Sequence, residues 1–387
     1  MAGTVRAAGT TRALPHPRNT LNELSGEEWL YFTKSLWTTA YPSELGHALR
    51  KQHGANKPPR LMARLIEFFT KTGELVLDPF AGVGGTLLGA AIARGPRRAL
   101  GIELAPRWAE IYEQVVADAR VERDGGGPGL ADLGTSDPGG PRSFDPSGCE
   151  LRVGDALAIL PTLAAECIDF VATDPPYNVQ LPMTMSGGVL SESFANRRTD
   201  YAMVTEDPAD LANAPDYPAF LDRMTEVLAH VERVLRPNRY AVLIVRDAYQ
   251  GGRYLFTGAD LAARAASVGL TPKGDLIWYQ AGSRLRPYGY PTGFVPNIAH
   301  QHLLVLRRDS NRDAMRPTVV KAVARHATKA GARADAKAGT TAGAKSGARA
   351  GVKPGQAPDV ARRAVVAGAS TTRRLDTRVG PRLSRPA

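Results

Sequence analysis

Apolar residues along this chain fall into two periods. Helical spacing, with apolar positions three and four apart, covers residues 26–34, 59–70, 106–119 and 217–235. In the second of these, Leu61, Leu65, Ile66 and Phe69 share a face, and Pro58-Pro59 stands where a helix start tolerates a missing N–H. Short unbroken apolar runs, the pattern of strands buried on both faces, stand at 75–77, 99–102, 168–173 and 240–245, with further strands expected at 275–279 and 302–306. Regular structure is also expected at 150–153 and 156–160, and helices at 86–93 and 260–268. Strand alternating with helix predicts a parallel sheet.

Four stretches break both periods. Residues 1–24 are Thr, Ala, Arg and Pro without repeat and are expected to be disordered. Residues 124–149 are dense in Gly, Pro, Asp and Ser and read as a surface insertion between sheet elements. Residues 183–216 are long, polar and aperiodic. From 311 to 387 runs a low-complexity tail in which Lys321, Lys329, Lys337, Lys345 and Lys353 recur every eight residues. Glycine is too frequent there for a stable helix, so the tail is expected to be a disordered polycation. The regular elements between, residues 25–310, form one domain.

Placing the net charge of +11 changes its meaning. Residues 321–387 carry five Lys, ten Arg and three Asp, a net of +12, while residues 1–320 carry 34 basic and 35 acidic side chains, a net of −1. The body is near neutral, and attraction to phosphate belongs to the tail. Cys149 and Cys167, without Cys-x-x-Cys or His-rich spacing, predict neither a disulfide framework nor a metal site, and a reducing, cytoplasmic compartment fits. No apolar run approaches the roughly 18 residues of a membrane span, and the first twenty residues lack the apolar centre of a secretory signal.

Two turns carry the chemistry. The first, Asp78-Pro79-Phe80-Ala81-Gly82-Val83-Gly84-Gly85, lies between a predicted strand and a predicted helix. Residues without Cβ there let backbone approach a nucleoside closely. Glu103, at the end of the next strand, has the position from which a carboxylate accepts hydrogen bonds from ribose hydroxyls. Asp78 would repel a pyrophosphate, whereas an uncharged nucleoside with a sulfonium tolerates that acid, which favours S-adenosylmethionine. The second turn, Asp174-Pro175-Pro176-Tyr177, comes 96 residues after Asp78. Asp174 and the Pro175 carbonyl can accept hydrogen bonds from an exocyclic amine and aim its lone pair at a methyl carbon. The prolines stiffen the backbone, and Tyr177 offers a face to an extruded base, worth roughly 1–3 kcal/mol.

On these motifs, residues 24–308 resemble the S-adenosylmethionine-dependent DNA amino-methyltransferases that act on adenine N6 or cytosine N4. The resemblance implies an α/β fold, the Rossmann-like, doubly wound, mostly parallel sheet of class I methyltransferases. It implies cofactor binding by Asp78, Phe80, Gly82, Gly84 and Thr86, with Glu103 on the ribose and Asp155 and Ala156 near the adenine. Lys57, in Lys57-Pro58-Pro59, matches the segment that lies against the methionine end. Catalysis falls to Asp174, Pro175, Pro176 and Tyr177. Trp278 and residues 288–308 are similar to the family's closing strands, which support the base pocket. DNA is the implied partner, at a specific site and with the base flipped, and a restriction endonuclease partner and a nucleoid-associated location are compatible with this.

Asp at position 174 favours adenine over cytosine, although residues 29–35 are reminiscent of relatives that modify cytosine. The chain departs from the family in reading Gly82-Val83-Gly84-Gly85-Thr86 where Gly-x-Gly-Thr-Thr is frequent, and in showing no large recognition domain after Arg308. DNA reading is therefore expected from 183–216 and 280–299, with Arg197, Arg198, Arg284 and Arg286 as candidate contacts. His300 and His302, with no acid close by in sequence, read as ordinary strand residues. Two other readings stay open: an RNA guanine-N2 methyltransferase sharing both loops, and a nucleoid-type protein acting through its basic tail.

Overall fold

A sheet of eight strands organises the computed structural model, which describes residues 14–41, 44–124, 143–177, 205–283 and 285–310. All of these belong to the first of two compact units, Met1–Thr318; the second, Val319–Ala387, lies outside the described residues together with the rest of the basic tail. Most of the 124–149 insertion and the first part of the 183–216 loop also lie outside them.

In chain order the elements are α1 (Gly26–Phe32), β1 (Leu36–Trp37), α2 (His47–Arg50), α3 (Pro59–Phe69), β2 (Leu75–Asp78), α4 (Gly85–Ala91), β3 (Arg98–Glu103) and α5 (Pro106–Asp124). Then come β4 (Cys149–Val153), α6 (Ala156–Ile159), β5 (Ile168–Thr173), α7 (Tyr217–Val234) and β6 (Leu235–Val245). The hairpin β7 (Ala248–Gln250) and β8 (Arg253–Leu255), α8 (Thr257–Ser267), β9 (Leu270–Tyr279) and β10 (His300–Arg308) complete the order. The strands lie as β1-β9-β10-β6-β5-β2-β3-β4, with β10 antiparallel to both neighbours and every other pairing in this sheet parallel. This is the mostly parallel, doubly wound sheet that the sequence predicts.

Side chains alternate across a strand, so each central strand serves two cores. Val76, Phe170, Ala172, Val242 and Ile244 pack with the residues of α3 and α4, while Leu77, Val171, Ala241, Leu243 and Val245 pack with those of α7 and α8. β5 is buried at all six positions, which is why it reads as a mainly apolar run, with Asp169 paired to the Leu75 amide and Arg236. The strand order reverses between β2 and β5. Loops leaving two such strands diverge and open a crevice at their C-terminal ends, and these are the loops that begin at Asp78 and Asp174.

Residues 14–24 correct the expectation of disorder through residue 24. Asn22 is 2% exposed and donates to the Phe68 carbonyl at 2.6 Å, Leu24 joins the core, and the Asn19 side chain accepts from the amides of Leu21 and Asn22. Isolated side-chain-to-backbone bonds hold this segment, and they leave no period in the sequence. α1 follows with a reciprocal capping box between Ser25 and Glu28. β1 was not foreseen because two residues carry no period; it is fixed by pairing with Ile277 and Trp278. β6 and β9 begin earlier than expected because partners in the sheet recruit residues such as Pro237, Asn238, Pro272 and Lys273, whose own propensity is low.

His302 is not an ordinary strand residue. Register with β6 and β9 sets its Nδ1 2.8 Å from Asp275 and its Nε2 3.4 Å from Asp247, the latter an ion-pair distance without hydrogen-bond alignment. Asp247 also accepts from the Gly258 amide at the start of α8 and from the Tyr254 hydroxyl, both at 3.1 Å. The carboxylate of Asp247 first, then that of Asp275, holds the imidazole up to about 10 from its ordinary 6.5. The charged ring therefore contributes its full stabilisation below pH 6.5 and loses it as pH rises toward about 10. In urea denaturation, His302→Gln is expected to be less stable by about 1–2 kcal/mol near pH 6, with the gap closing by about pH 10. A gap that does not vary with pH would remove the charge from the explanation.

Candidate active site

β2 ends in a buried carboxylate. Asp78 is 4% exposed, and its Oδ1 accepts from the Phe80 amide at 3.0 Å and from the Thr173 hydroxyl at 2.6 Å, while Oδ2 accepts from the Thr86 hydroxyl. Burial pushes its pKa up to about 6 against those three bonds. Asp78 thus ties its own turn to the last residue of β5 and the first turn of α4. The side chain of Thr86, 2% exposed, is likewise turned inward, toward Asp78 and the Ala172 carbonyl. The resemblance assigns Asp78 and Thr86 to the cofactor; in the structure their side chains bond within the framework of the turn, because buried polar groups at a strand end must be paired.

The turn above this knot needs glycine. Gly82 and Gly84 have φ of 52° and 77°, the left-handed region. A Cβ on Gly84 would enter the ring of Tyr112, and one on Gly85 would come within 3.0 Å of the Lys57 carbonyl. Glu103 closes the turn from β3: its Oε2 accepts from the Gly82 amide and its Oε1 from the Ala105 amide, each at 2.8 Å. A carboxylate has about four acceptor positions, so these two bonds orient Glu103 and leave acceptor capacity for a diol. Burial raises its pKa, the two backbone bonds opposing. Phe80 packs half-buried on the second core, and Asp155 caps α6 by accepting from Leu157 at 2.9 Å, with Ala156 buried behind it.

A cation ties the second loop to the segment before α3. Lys57, on the segment leading into α3, forms an ion pair with Asp174 Oδ2, the two side chains being 8% and 14% exposed. Asp174 Oδ1 accepts from the Tyr177 hydroxyl at 2.6 Å, and the Ile244 carbonyl lies 3.2 Å from the same hydroxyl. Burial, then Asp174, raises the Tyr177 pKa well above its usual range. Pro175 is buried and Pro176 half-buried. Buried Arg50 donates to the Lys57 carbonyl at 2.6 Å and so fixes the segment that carries the cation.

Two residues at this site escaped sequence reasoning. The His53 ring lies 3.4 Å from where a Cβ of Gly82 would stand and meets the Trp108 ring edge-on at 4.8 Å between centroids. Burial, then Lys57 and Arg107, lowers the His53 pKa to about 4. His53 Nδ1 and Trp108 Nε1 are buried without a hydrogen-bond partner among the described residues, which suits a polar ligand beside the turn. The one sequence signal was a histidine four residues ahead of Lys57. The left-handed cradle, the oriented Glu103 and these unmatched nitrogens fit a nucleoside with a polar tail. Of the expected DNA contacts, Arg197, Arg198 and Arg284 lie outside the described residues. Arg286 stands in the loop between β9 and β10, its amide and carbonyl both clasped by Asn297 at 2.8 Å. Among the described residues no group of three or more His, Cys, Asp or Glu could hold a metal ion, and no helix is long and apolar enough to cross a membrane.

Asp78→Ala would strand three donors and is expected to cost about 2–4 kcal/mol in urea denaturation. Asp78→Asn should cost less. Because burial lifts the folded-state pKa to about 6 from 3.8, ionised Asp78 loses stability for the wild type as pH rises through that interval. The deficit of Asp78→Asn should therefore shrink between about pH 4 and about pH 7; a constant deficit would show that Asp78 is not titrating there.

Residues 10–114 match the DNA methylase family. A type II methyltransferase, M.MthZI of Methanothermobacter thermautotrophicus, is 34% identical over 89 residues, 22% of this chain and 24% of that protein. M.BglI of Bacillus subtilis, also a type II methyltransferase, is 34% identical over 106 residues, 27% and 28% of the two chains. A putative methylase of Escherichia coli K12, YubD, is 40% identical over 78 residues, 20% and 34%. The chain thus spans about a quarter to a third of the length of these relatives. Among solved structures, a putative DNA modification methylase of Thermus thermophilus complexed with S-adenosyl-L-methionine aligns at 24% identity and a TM-score of 0.28, covering 41% of this chain and 53% of that one. Lys57, the glycine turn and Glu103 all fall inside residues 10–114, the span that matches the DNA methylase family.

Proposed function

We propose that the protein transfers a methyl group from S-adenosylmethionine to an exocyclic amino group of a flipped DNA base, with adenine N6 favoured over cytosine N4. The observation that carries this reading is the meeting of Asp174 with the glycine turn across neighbouring strands β2 and β5, where Thr173, the residue before Asp174, is bonded to Asp78. A donor held over Gly82 and Gly84 and an acceptor held at Asp174 would face each other in that crevice.

S-adenosylmethionine supplies an electrophilic methyl whose transfer breaks a C–S bond and leaves a neutral thioether. Glu103 orients the nucleoside through its ribose, with Asp155 and Ala156 toward the adenine and Lys57 toward the amino-acid end. Asp174 accepts a hydrogen bond from the target amine and, with the Pro175 carbonyl, turns the nitrogen lone pair toward the methyl carbon. As the N–C bond formed, Asp174 would receive the amino proton that is released and pass it to solvent. Aspartate rather than serine at position 174 supports adenine. The β9–β10 loop, at the same edge of the sheet as Asp174, carries Arg286 and the exposed Leu285, Tyr290 and Phe294, and it supports a DNA-facing role. A reducing, nucleoid-associated setting and a paired restriction endonuclease fit this reading.

Purified protein given radiolabelled S-adenosylmethionine and unmethylated genomic DNA should yield label in N6-methyladenine after digestion to nucleosides. Label in N4-methylcytosine would change the base, label confined to RNA would change the substrate, and no label on either would overturn the reading. Asp174→Ala should lose at least about 100-fold in rate without weakening cofactor affinity, read by calorimetry. The tail, at +12 against −1 for the body, is proposed to hold DNA near the site without sequence preference. Removal of residues 321–387 should lower both DNA affinity and its salt dependence; identical salt slopes with and without the tail would exclude that role.

A further inference from the structure

The ion pair between Lys57 and Asp174 joins the segment before α3 to the second loop, and the proposed function gives each partner a different ligand. Asp174 Oδ2 faces the Lys57 ammonium and Oδ1 faces the Tyr177 hydroxyl, so each oxygen of the group proposed to receive the base amine already holds one partner, and the one at Oδ2 is a cation. Lys57 is held in place from behind, since Arg50 grips its carbonyl and Gly85 admits that carbonyl against α4. Its side chain, 8% exposed, is a buried cation with one carboxylate partner among the described residues, and a buried charge takes a second carboxylate more readily than it stands unpaired.

We propose that Lys57 is a positioning residue that couples the two ligands: a carboxylate on the cofactor's amino-acid end draws the ammonium from Asp174 and frees Oδ2 for the target amine. This rests on the methyl-transfer reading of the site. Its consequence is thermodynamic. Cofactor and substrate DNA then bind with positive coupling, typically about fivefold or more, and the coupling resides in the ligand's carboxylate, the group that competes with Asp174 for the ammonium. Ligands equal in the nucleoside but different in the tail therefore separate this idea from a general tightening of the fold.

The experiment measures affinity for a duplex containing the site found methylated, with no ligand, with S-adenosylhomocysteine, and with methylthioadenosine, which lacks the amino-acid carboxylate. In the wild type, S-adenosylhomocysteine should tighten duplex binding about fivefold or more, and methylthioadenosine by less than about twofold. Lys57→Met should bind S-adenosylhomocysteine more weakly and methylthioadenosine unchanged, with no effect of either on the duplex; Lys57→Arg should recover part of the coupling. Equal tightening by the two ligands in the wild type, or coupling retained in Lys57→Met, would overturn the proposal while leaving the methyl-transfer reading in place. Failure of the wild type to bind S-adenosylhomocysteine at all would overturn both.

Discussion

The buried carboxylate of Asp78 sets the distance between the two ligand loops. It sits at the end of β2, bonds to the last residue of β5 through Thr173 and to α4 through Thr86, and so locks three elements at the point where the strand order reverses. A crevice at a switch point is a consequence of topology, but its width depends on what spans it. Here two hydroxyls and one amide on a single carboxylate do so. The arrangement carries a cost, visible as a pKa raised to about 6, and the hydrogen bonds offset part of it.

Above that knot the site is an arrangement of acids with one cation among them. Glu103, Asp155 and Asp174 stand around the crevice, each oriented by a hydrogen bond from the backbone or a neighbouring side chain. Lys57 answers them from the segment before α3. Acids near a sulfonium are favourable where acids near a phosphate would not be, so the electrostatics and the glycine geometry select the same class of ligand. His53 and Trp108 close the far side of the turn with nitrogens unmatched among the described residues.

Charge on the scale of the whole chain is divided in the same way. A body of −1 net suits a positively charged cofactor held among acids, while a tail of +12 has the charge that the proposed attraction to polyphosphate needs. His302, clamped between Asp247 and Asp275, belongs to neither task. It anchors the start of α8 to the β6–β9–β10 corner, and it shows how a strand pairing can convert an ordinary histidine into a lasting cation.

A period of 3.6 made α3, α5 and α7 legible in the sequence, and short apolar runs made β2, β3 and β5 so, because burial on a helix face or on both faces of a strand constrains consecutive residues. The glycine turn and the Asp174 tetrapeptide were legible for the same reason, since backbone conformation and local chemistry are set by adjacent residues. What holds residues 14–24, what adds β1 to the sheet and what extends β6 and β9 left no local period, because the partners are Phe68, Ile277 and strands far along the chain. The inward turn of Asp78 and Thr86, the pairing of Lys57 with Asp174 117 residues away, and the placing of His53 against Gly82 were decided only in three dimensions. Local sequence fixes which groups can donate or accept; only the packed chain decides which of them find each other, since a buried polar group takes whichever partner the fold brings within reach.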